Sequence, residues 1–255
     1  MRRLLIGDRK VRVRDEGEHP RRPPVLLVHG AGSSSVVWMN AVKRIAPRRR
    51  AVAPDLPGHG QSDPWHDVSI DLYRDAVGTI AANLGLQRVV LVGHSMGGAV
   101  ALRVALAWPE RVAALVLVCT AARLPAPVEL LAALERDPLH MSEWMARLSF
   151  APATPRELVE RWQAVAWTAP PETLLADLRA AGGFNVSGDL SRLRMPALVV
   201  GGMDDLLTPP ALSKDLADGL PNARLLLVPQ AGHMAHLEQP DRFHAALDPF
   251  LAEVA

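Results

Sequence analysis

Six short runs of consecutive apolar residues constrain the fold of this chain more than any other feature. They are Val25–Val28, Ala51–Ala53, Val89–Val92, Ala114–Val118, Ala197–Val200 and Leu225–Val228. Because no polar residue interrupts them, these runs are typical of strands that are covered on both faces, as in a parallel sheet. Longer segments with helical character separate or follow them, including Ile70–Leu84, Ala99–Ala107 and Phe243–Val254. The alternation predicts an α/β fold, with a mostly parallel central sheet and helices on both faces.

The alternation is interrupted between residues 121 and 188, where no convincing strand is recognisable. This interval consists of helical pieces divided by prolines, namely Pro125, Pro127, Pro138, Pro152, Pro155, Pro170 and Pro171. A chain of 255 residues is long enough for one large core that carries an insertion. We therefore predict a core domain of residues 1–120 and 189–255, with a helical cap, or lid, formed by residues 121–188.

The charges of the chain are balanced, with 28 Lys and Arg against 27 Asp and Glu. Even the Arg-rich beginning, residues 2–18, is interleaved with four acidic residues. Such a segment is more typical of a solvated hairpin at the edge of a sheet than of a nucleic-acid patch. We therefore expect no nucleic-acid partner.

The apolar runs are also too short for membrane insertion or export. None approaches the roughly 18 apolar residues of a membrane span, and the run behind Arg2 and Arg3 is only Leu4–Ile6, shorter than the core of a secretion signal. The single cysteine, Cys119, has no partner for an internal disulfide. We therefore expect a cytoplasmic protein, a monomer or small homo-oligomer, that does not bind membranes.

The segment Gly93-His94-Ser95-Met96-Gly97 fits the pattern Gly-x-Ser-x-Gly. It directly follows a predicted strand and directly precedes a predicted helix, which makes a chance match in an ordinary turn the weaker interpretation. A sharp strand-to-helix turn projects the serine hydroxyl into a cleft, where it can attack a carbonyl carbon. We therefore predict that Ser95 is a nucleophile.

A second loop, His29-Gly30-Ala31-Gly32, follows the first predicted strand immediately. Acyl transfer develops negative charge on the carbonyl oxygen of the substrate, and pre-aimed backbone N–H groups stabilise that charge. We predict that these donors, the oxyanion hole, are the N–H groups of Ala31 and Met96. His29 is expected to brace the loop rather than to act in catalysis.

The last two predicted strands end in candidate partners for the serine. Asp204 and Asp205 follow the fifth strand, and His233 follows the sixth. Because open α/β sheets build their sites at the carboxyl ends of the strands, one of these acids should orient His233, which would act as general base. His236 is the alternative base, although it is expected in the first turn of the closing helix.

These segments together resemble the α/β-hydrolase fold superfamily, in particular its serine esterases or carboxylesterases, over nearly the whole chain. Residues 55–62 (Asp-Leu-Pro-Gly-His-Gly-Gln-Ser) add to the likeness, because they are similar to the family's turn after the fourth strand. We favour that structural turn over a phosphate-binding loop. The resemblance implies an α/β-hydrolase fold and the chain order nucleophile, acid, base, and the predicted cap is the region least similar to the family.

The resemblance also implies a choice between the two adjacent acids. In similar family members the functional acid stands three residues after a glycine and four before a proline. Asp205 stands so relative to Gly202 and Pro209, whereas Asp204 misses both spacings by one residue. Asp205 is therefore the predicted acid.

The expected reaction is hydrolysis of carboxylic esters of small, largely apolar molecules through an acyl-enzyme intermediate on Ser95. A small-molecule ester is the expected partner, and no metal or organic cofactor is expected. Lactone, thioester and carbon–carbon bond hydrolysis, or a perhydrolase activity, are alternatives on the same triad. A non-catalytic small-molecule-binding protein on this scaffold is a remoter alternative, because a pure binder does not need a triad.

The predicted cap is rich in aromatic residues. It holds five of the chain's ten Trp and Phe residues, namely Trp144, Phe150, Trp162, Trp167 and Phe184. Rings of this kind either dock the cap onto the core or surround an apolar pocket. We predict that Trp144 and Trp162 contact the substrate, together with Leu207 and Met234 beside the catalytic loops.

Overall fold

One sheet of eight strands organises the computed structural model, which describes residues 1–19, 21–125 and 128–254. The strands are β1 (Arg2–Ile6), β2 (Arg9–Glu16), β3 (Val25–Val28), β4 (Ala51–Pro54), β5 (Val89–His94), β6 (Val112–Val118), β7 (Ala197–Gly202) and β8 (Ala223–Val228). The α-helices are α1 (Met39–Ile45), α2 (Ile70–Asn83), α3 (Met96–Ala107), α4 (Val128–Arg136), α5 (Met141–Ser149), α6 (Arg156–Ala166), α7 (Pro171–Gly182), α8 (Pro210–Gly219), α9 (Ala235–Glu238) and α10 (Pro240–Glu253).

The strands lie in the order β1-β2-β4-β3-β5-β6-β7-β8. β2 pairs antiparallel with both β1 and β4, and every other pairing is parallel. All six strands predicted from the apolar runs are present, although the structure extends several of them, so that β5 continues through His94. The mostly parallel sheet is therefore confirmed, and the Arg-rich beginning of the chain forms the expected hairpin at its edge.

Alternate residues of a central strand face opposite sides of the sheet. In β3, Val25 and Leu27 belong to one buried cluster, whereas Leu26 and Val28 belong to another, as the period of two requires. The first cluster includes residues of α1 and α10, and the second includes residues of α2, α3 and α8. Both faces are thus covered, which explains the uninterrupted apolar runs. β8 is the exception, because it is an edge strand and leaves Leu225 exposed.

Residues 121–188, here termed the inserted segment, connect β6 to β7 and contain α4 to α7. The two ends of the segment meet, since Arg123 and Asn185 form an isolated antiparallel bridge and the N–H of Val186 donates to the carbonyl of Ala122 at 2.8 Å. The segment therefore leaves and rejoins the sheet at one point. Pro127, one of the prolines used to delimit it, lies outside the described residues. Within the described ranges, no helix is long and apolar enough to cross a membrane.

Candidate active site

Ser95 lies in a strained turn between β5 and α3. Its backbone has φ 53° and ψ −123°, a conformation that persists in a non-glycine residue only where the surroundings fix it. The Ser95 N–H donates to the Val118 carbonyl at 2.9 Å, and the Thr120 hydroxyl donates to the Ser95 carbonyl at 2.8 Å. At Gly97, a Cβ atom would lie 2.3 Å from the Val28 carbonyl oxygen. Glycine is required there because the turn packs directly against the end of β3.

Asp205 and His233 lie side by side in the loops after β7 and β8. Nδ1 of His233 is 2.9 Å from Oδ2 and 3.1 Å from Oδ1 of Asp205, and both side chains are buried. Oδ1 also accepts the N–H groups of Leu207 and Thr208 at 2.9 and 2.8 Å, and Oδ2 accepts the Thr208 hydroxyl at 2.7 Å. These donors fix the carboxylate and, through it, the orientation of the imidazole.

The Asp205 carboxylate sets the tautomer of the His233 imidazole. Burial alone would raise the pKa of Asp205, but the charge and hydrogen bond of His233 and the donors of Thr208 outweigh burial and lower that pKa. A carboxylate at Nδ1 accepts the ring proton there, so in the neutral tautomer that this contact selects Nε2 keeps its lone pair. In the described part of the chain, Nε2 makes no hydrogen bond.

The backbone of the His233 loop is held on both sides. Nε2 of His94 donates to the His233 carbonyl at 2.8 Å, and the Gly232 N–H donates to Oε1 of Glu238 at 2.9 Å. Burial lowers the pKa of His94 to about 3, so His94 is neutral and carries its single proton on Nε2. The residue before Ser95 therefore links the nucleophile turn to the loop of the proposed base.

Ser95 and His233 line the same cavity. Its lining residues are Gly30, Ala31, Ser33, His94, Ser95, Met96, Leu124, Pro125, Leu130, Met145, Ser149, Trp167, Leu178, Ala181, Leu207, Thr208, His233 and Met234. Across the described ranges, the Ser95 hydroxyl makes no hydrogen bond to His233. Such bonds are often long without substrate and tighten when it binds.

The two proposed oxyanion donors, the N–H groups of Ala31 and Met96, also belong to residues that line this cavity. Met96 follows Ser95 directly in the chain. The loop that carries Ala31 passes close to the serine, because a Cβ atom on Gly30 would lie 3.0 Å from the Ser95 Cβ atom. Within the described part of the chain, neither N–H group donates a hydrogen bond to another protein group.

His29 braces this loop from within. The Leu56 N–H donates to Nε2 of His29 at 2.9 Å, and Nδ1 of His29 is 2.8 Å from the Gly30 carbonyl oxygen. Burial lowers the pKa of His29 to about 3, so the ring is neutral and carries its proton on Nδ1. Both nitrogens are thus occupied by backbone groups, as expected of a bracing residue.

The four residues expected to contact the substrate are placed differently. Leu207 and Met234 line the cavity. Trp144 and Trp162 are not among its described lining residues, since Trp144 is 38% exposed and Trp162 is packed into a buried cluster. Trp167 does line the cavity and was not selected from the sequence. It directly follows α6. Helical periodicity does not extend past the end of the helix, so the sequence does not indicate which way the Trp167 ring points.

The alternative acid and the alternative base are not among the described lining residues of the cavity. The Asp204 side chain is exposed, and its N–H donates to the Ala231 carbonyl at 2.9 Å. His236 is buried, with its ring centroid 4.6 Å from that of Trp38. It is not among the described lining residues of the cavity.

One group of side chains has the composition of a metal site. Ligand atoms of Cys119, Asp205 and His233 lie within 4.8 Å of one another. Burial raises the pKa of the Cys119 thiol, and a protonated thiol is a poor ligand. The other two side chains already bond each other. The group therefore fits a packed thiol beside a hydrogen-bonded pair better than a metal centre.

Known proteins are similar to this chain in fold and, at about 30% identity, in sequence. A family model described as alpha/beta hydrolase fold matches residues 23–240. A pimeloyl-[acyl-carrier protein] methyl ester esterase of Nitrosomonas europaea is 31% identical over 242 residues, which are 89% of this chain and 94% of that protein. A 2-hydroxy-6-oxononadienedioate/2-hydroxy-6-oxononatrienedioate hydrolase of a Pseudomonas species is 31% identical over 247 residues, which are 89% of this chain and 87% of that protein.

Among solved structures, a thermophilic esterase from Thermogutta terrifontis superimposes with a TM-score of 0.89 at 27% identity, over 100% of this chain and 99% of that one. The match to the family model extends over most of the chain. The similar proteins are hydrolases, among them esterases. The chain therefore belongs to the alpha/beta hydrolase fold family and is an enzyme of hydrolase type.

Proposed function

We propose that this enzyme hydrolyses carboxylic esters, with Ser95 as nucleophile, His233 as general base and Asp205 as the residue that orients the base. One observation carries the proposal: a serine in a strained turn lines the same cavity as the imidazole of a buried carboxylate–imidazole pair. The three side chains follow β5, β7 and β8, so the sheet holds them at a common edge.

The proposed reaction is a two-step acyl transfer. Oγ of Ser95 attacks the ester carbonyl carbon while Nε2 of His233 takes the hydroxyl proton. The carbonyl oxygen becomes negatively charged and accepts hydrogen bonds from the N–H groups of Ala31 and Met96. The alcohol leaves with the proton returned by His233. Water then attacks the acyl carbon while His233 takes a proton from it, the bond between Oγ of Ser95 and the acyl group breaks, and His233 returns the proton to Ser95 as the carboxylic acid leaves. Every proton moves through His233, so the proposed steps need no metal or organic cofactor.

The cavity lining supports an uncharged, largely apolar ester as the substrate. Among its described lining residues there is no Asp, Glu, Lys or Arg. A carboxylate that entered such a cavity would lose its hydration without gaining a cationic partner. The Pseudomonas relative is named for a dicarboxylate substrate. We therefore favour hydrolysis of a neutral ester over carbon–carbon bond cleavage in a dicarboxylate.

We also propose that the inserted segment, residues 121–188, is a cap on a core domain of residues 1–120 and 189–255. Its described residues supply much of the apolar lining of the cavity, including Leu124, Leu130 and Trp167. The core supplies the proposed catalytic residues. Substrate choice would then depend largely on the inserted segment, and the chemistry on the core.

A matched pair of substrates tests the proposed function. p-Nitrophenyl hexanoate and the p-nitrophenyl monoester of adipic acid have acyl chains of equal length and differ by one terminal carboxylate. We expect kcat/KM to be at least about 10-fold higher for the hexanoate ester, because burying an unpaired charge is costly. A serine-directed phosphonate should abolish both activities.

Other outcomes of this assay would reject the proposal. Equal or better turnover of the charged ester would contradict an uncharged substrate. A lactone and a thioester are assayed beside the two esters, and preferential turnover of either would point to that alternative on the same triad. Binding of the hexanoate ester without turnover would indicate a binding protein on this scaffold.

A further inference from the structure

A buried carboxylate that the proposed reaction does not use joins the inserted segment to the core. Asp177 lies on α7 and has 0% exposure. Its Oδ2 accepts the N–H of Gly32 at 2.8 Å and lies 2.8 Å from Nε2 of His59. Its Oδ1 accepts the hydroxyl of Tyr73 at 2.6 Å. The three donors come from the loop after β3, the loop after β4, and α2.

Gly32 brings the proposed oxyanion loop against α7. Its φ is +64°, and a Cβ atom there would lie 2.8 Å from Cδ1 of Leu174 on α7. The N–H of Ala169, just before α7, donates to the Gly32 carbonyl at 3.4 Å. Gly32 directly follows Ala31, whose N–H is a proposed oxyanion donor. The position of α7 therefore sets the position of that donor.

Both ring nitrogens of His59 face oxygen acceptors. Nδ1 lies 2.9 Å from the Pro57 carbonyl oxygen, which can only accept, and Nε2 lies 2.8 Å from Asp177. Oδ2 of Asp177 already accepts the Gly32 N–H and Oδ1 accepts the Tyr73 hydroxyl, so the geometry assigns the shared proton to Nε2. His59 is therefore an imidazolium that forms a fully buried ion pair with Asp177.

The groups around His59 are consistent with one positive charge. Burial alone would lower the pKa of His59, but the charge and hydrogen bond of Asp177 outweigh burial and raise that pKa. The ring of His29, from the loop after β3, is 4.9 Å away and neutral. The ring of Tyr73, from α2, is 6.0 Å away. Asp55, at the beginning of the loop after β4 that also carries His59, adds a second favourable negative charge.

The charge of His59 matters for the proposed chemistry. Negative charge would develop on a substrate oxygen beside the N–H of Ala31, one residue from the N–H that Asp177 accepts. Like charges repel strongly in a site with little water. The imidazolium cancels the charge of Asp177, so a carboxylate can hold the loop without opposing the developing oxyanion.

We propose that Asp177 and His59 are a positioning pair, in which Asp177 anchors the oxyanion loop to the inserted segment and His59 neutralises the anchor. The inference rests on the proposed function, because it takes the N–H of Ala31 as an oxyanion donor. It makes α7 a fixed part of the catalytic site as well as part of the proposed cap.

Charge-removing variants test the pair, with p-nitrophenyl hexanoate as substrate. Because His59→Gln leaves Asp177 buried without a counter-charge, kcat should fall about 10- to 100-fold with KM within about threefold. Asp177→Asn should also lower kcat, because the amide is a weaker anchor. If the two substitutions acted independently, the relative kcat of the double variant would equal the product of the relative kcat values of the single variants. We expect it to be at least about fivefold higher than that product, because no unpaired charge remains.

Tyr73→Phe is the matched control. It removes a neutral donor from the same carboxylate and leaves the ion pair in place, so the melting temperature should fall while kcat stays within about threefold of wild type. If His59→Gln and Asp177→Asn lowered only the melting temperature, the pair would be a structural brace and the proposal would be wrong. Additive losses in the double variant, or an effect on KM alone, would overturn it as well.

A measurement on the unmodified protein covers the case in which a variant fails to fold. Side-chain ¹⁵N NMR should show that both nitrogens of His59 stay protonated at pH values above the ordinary imidazole pKa of about 6.5. A ring that loses its proton at or below that value overturns the ion pair. Wild-type protein that cannot hydrolyse the hexanoate ester would instead refute the proposed function, whatever the NMR result for the pair.

Discussion

Two buried carboxylate–imidazole pairs lie near the same edge of the sheet, and they differ in what the second ring nitrogen meets. His233 faces Asp205 through Nδ1 at 2.9 Å, and its Nε2 makes no hydrogen bond in the described part of the chain. His59 faces Asp177 through Nε2 at 2.8 Å, and its Nδ1 meets the Pro57 carbonyl oxygen at 2.9 Å. The first ring can accept a proton, whereas the second is held as a cation.

The difference shows that a close carboxylate–imidazole contact does not by itself identify a general base. A base also needs an unprotonated nitrogen that substrate can reach. His233 lines the cavity together with Ser95, and His59 is not among the described lining residues. Both imidazoles contact an acid through one ring nitrogen. What distinguishes the proposed catalytic role of His233 from the positioning role of His59 is the group that the other ring nitrogen contacts.

The largest difference between the pairs should appear when each acid loses its charge. Asp205→Asn should lower kcat by around 10⁴-fold, because the amide favours the imidazole tautomer that cannot accept the serine proton. Asp204→Asn is the matched control, and its exposed side chain predicts a change within about threefold. The comparison breaks down if Asp177→Asn costs as much as Asp205→Asn in steady-state kinetics, or if Asp204→Asn costs more.

A smaller difference should appear in the pH dependence of stability. The pKa of Asp205 is lowered in the folded protein. Its contribution to the free energy of unfolding is therefore present at pH values above the unfolded pKa of about 3.9, and it is lost as the pH falls through the folded pKa. The pKa of His59 is raised in the folded protein. Its contribution to the free energy of unfolding is therefore present at pH values below the unfolded pKa of about 6.5, and it is lost as the pH rises through the folded pKa.

Melting temperatures of wild type and His59→Gln, measured from pH 3 to 10, check these signs. The two curves should lie furthest apart below the folded pKa of His59 and should converge as the pH rises through it. Curves that stay parallel up to pH 10 would mean that His59 is not a titrating cation in this protein.

The two pairs also differ in how far the sequence could predict them. Asp205 and His233 follow neighbouring strands that the apolar runs reveal, so parallel strand geometry alone brings the two loops together. The choice of Asp205 over Asp204 needed the family resemblance, because adjacent loop residues look alike in the sequence. The prediction of Ser95 as nucleophile rests on its strand-to-helix context, and in the structure β5 precedes it and α3 follows it.

Asp177 and His59 could not be paired from the sequence. They are 118 residues apart, and an acid on an amphipathic helix usually faces solvent. The packing of α7 against α2 and against the loops after β3 and β4 buries it. The same limit applies to the aromatic residues of the inserted segment, where the sequence reveals how many rings there are but not that Trp167, rather than Trp144, lines the cavity.

The identity of the nucleophile is tested most directly by covalent labelling. The protein is treated with a fluorophosphonate, and the modified peptide is located by mass spectrometry. The account predicts one adduct per chain, on Ser95, with no adduct in Ser95→Ala and much slower labelling in His233→Ala. Ser95→Ala should also lower kcat by roughly 10⁴- to 10⁶-fold, because the triad acts as a unit. An adduct on another residue, or ester turnover near the wild-type rate in Ser95→Ala, would contradict it.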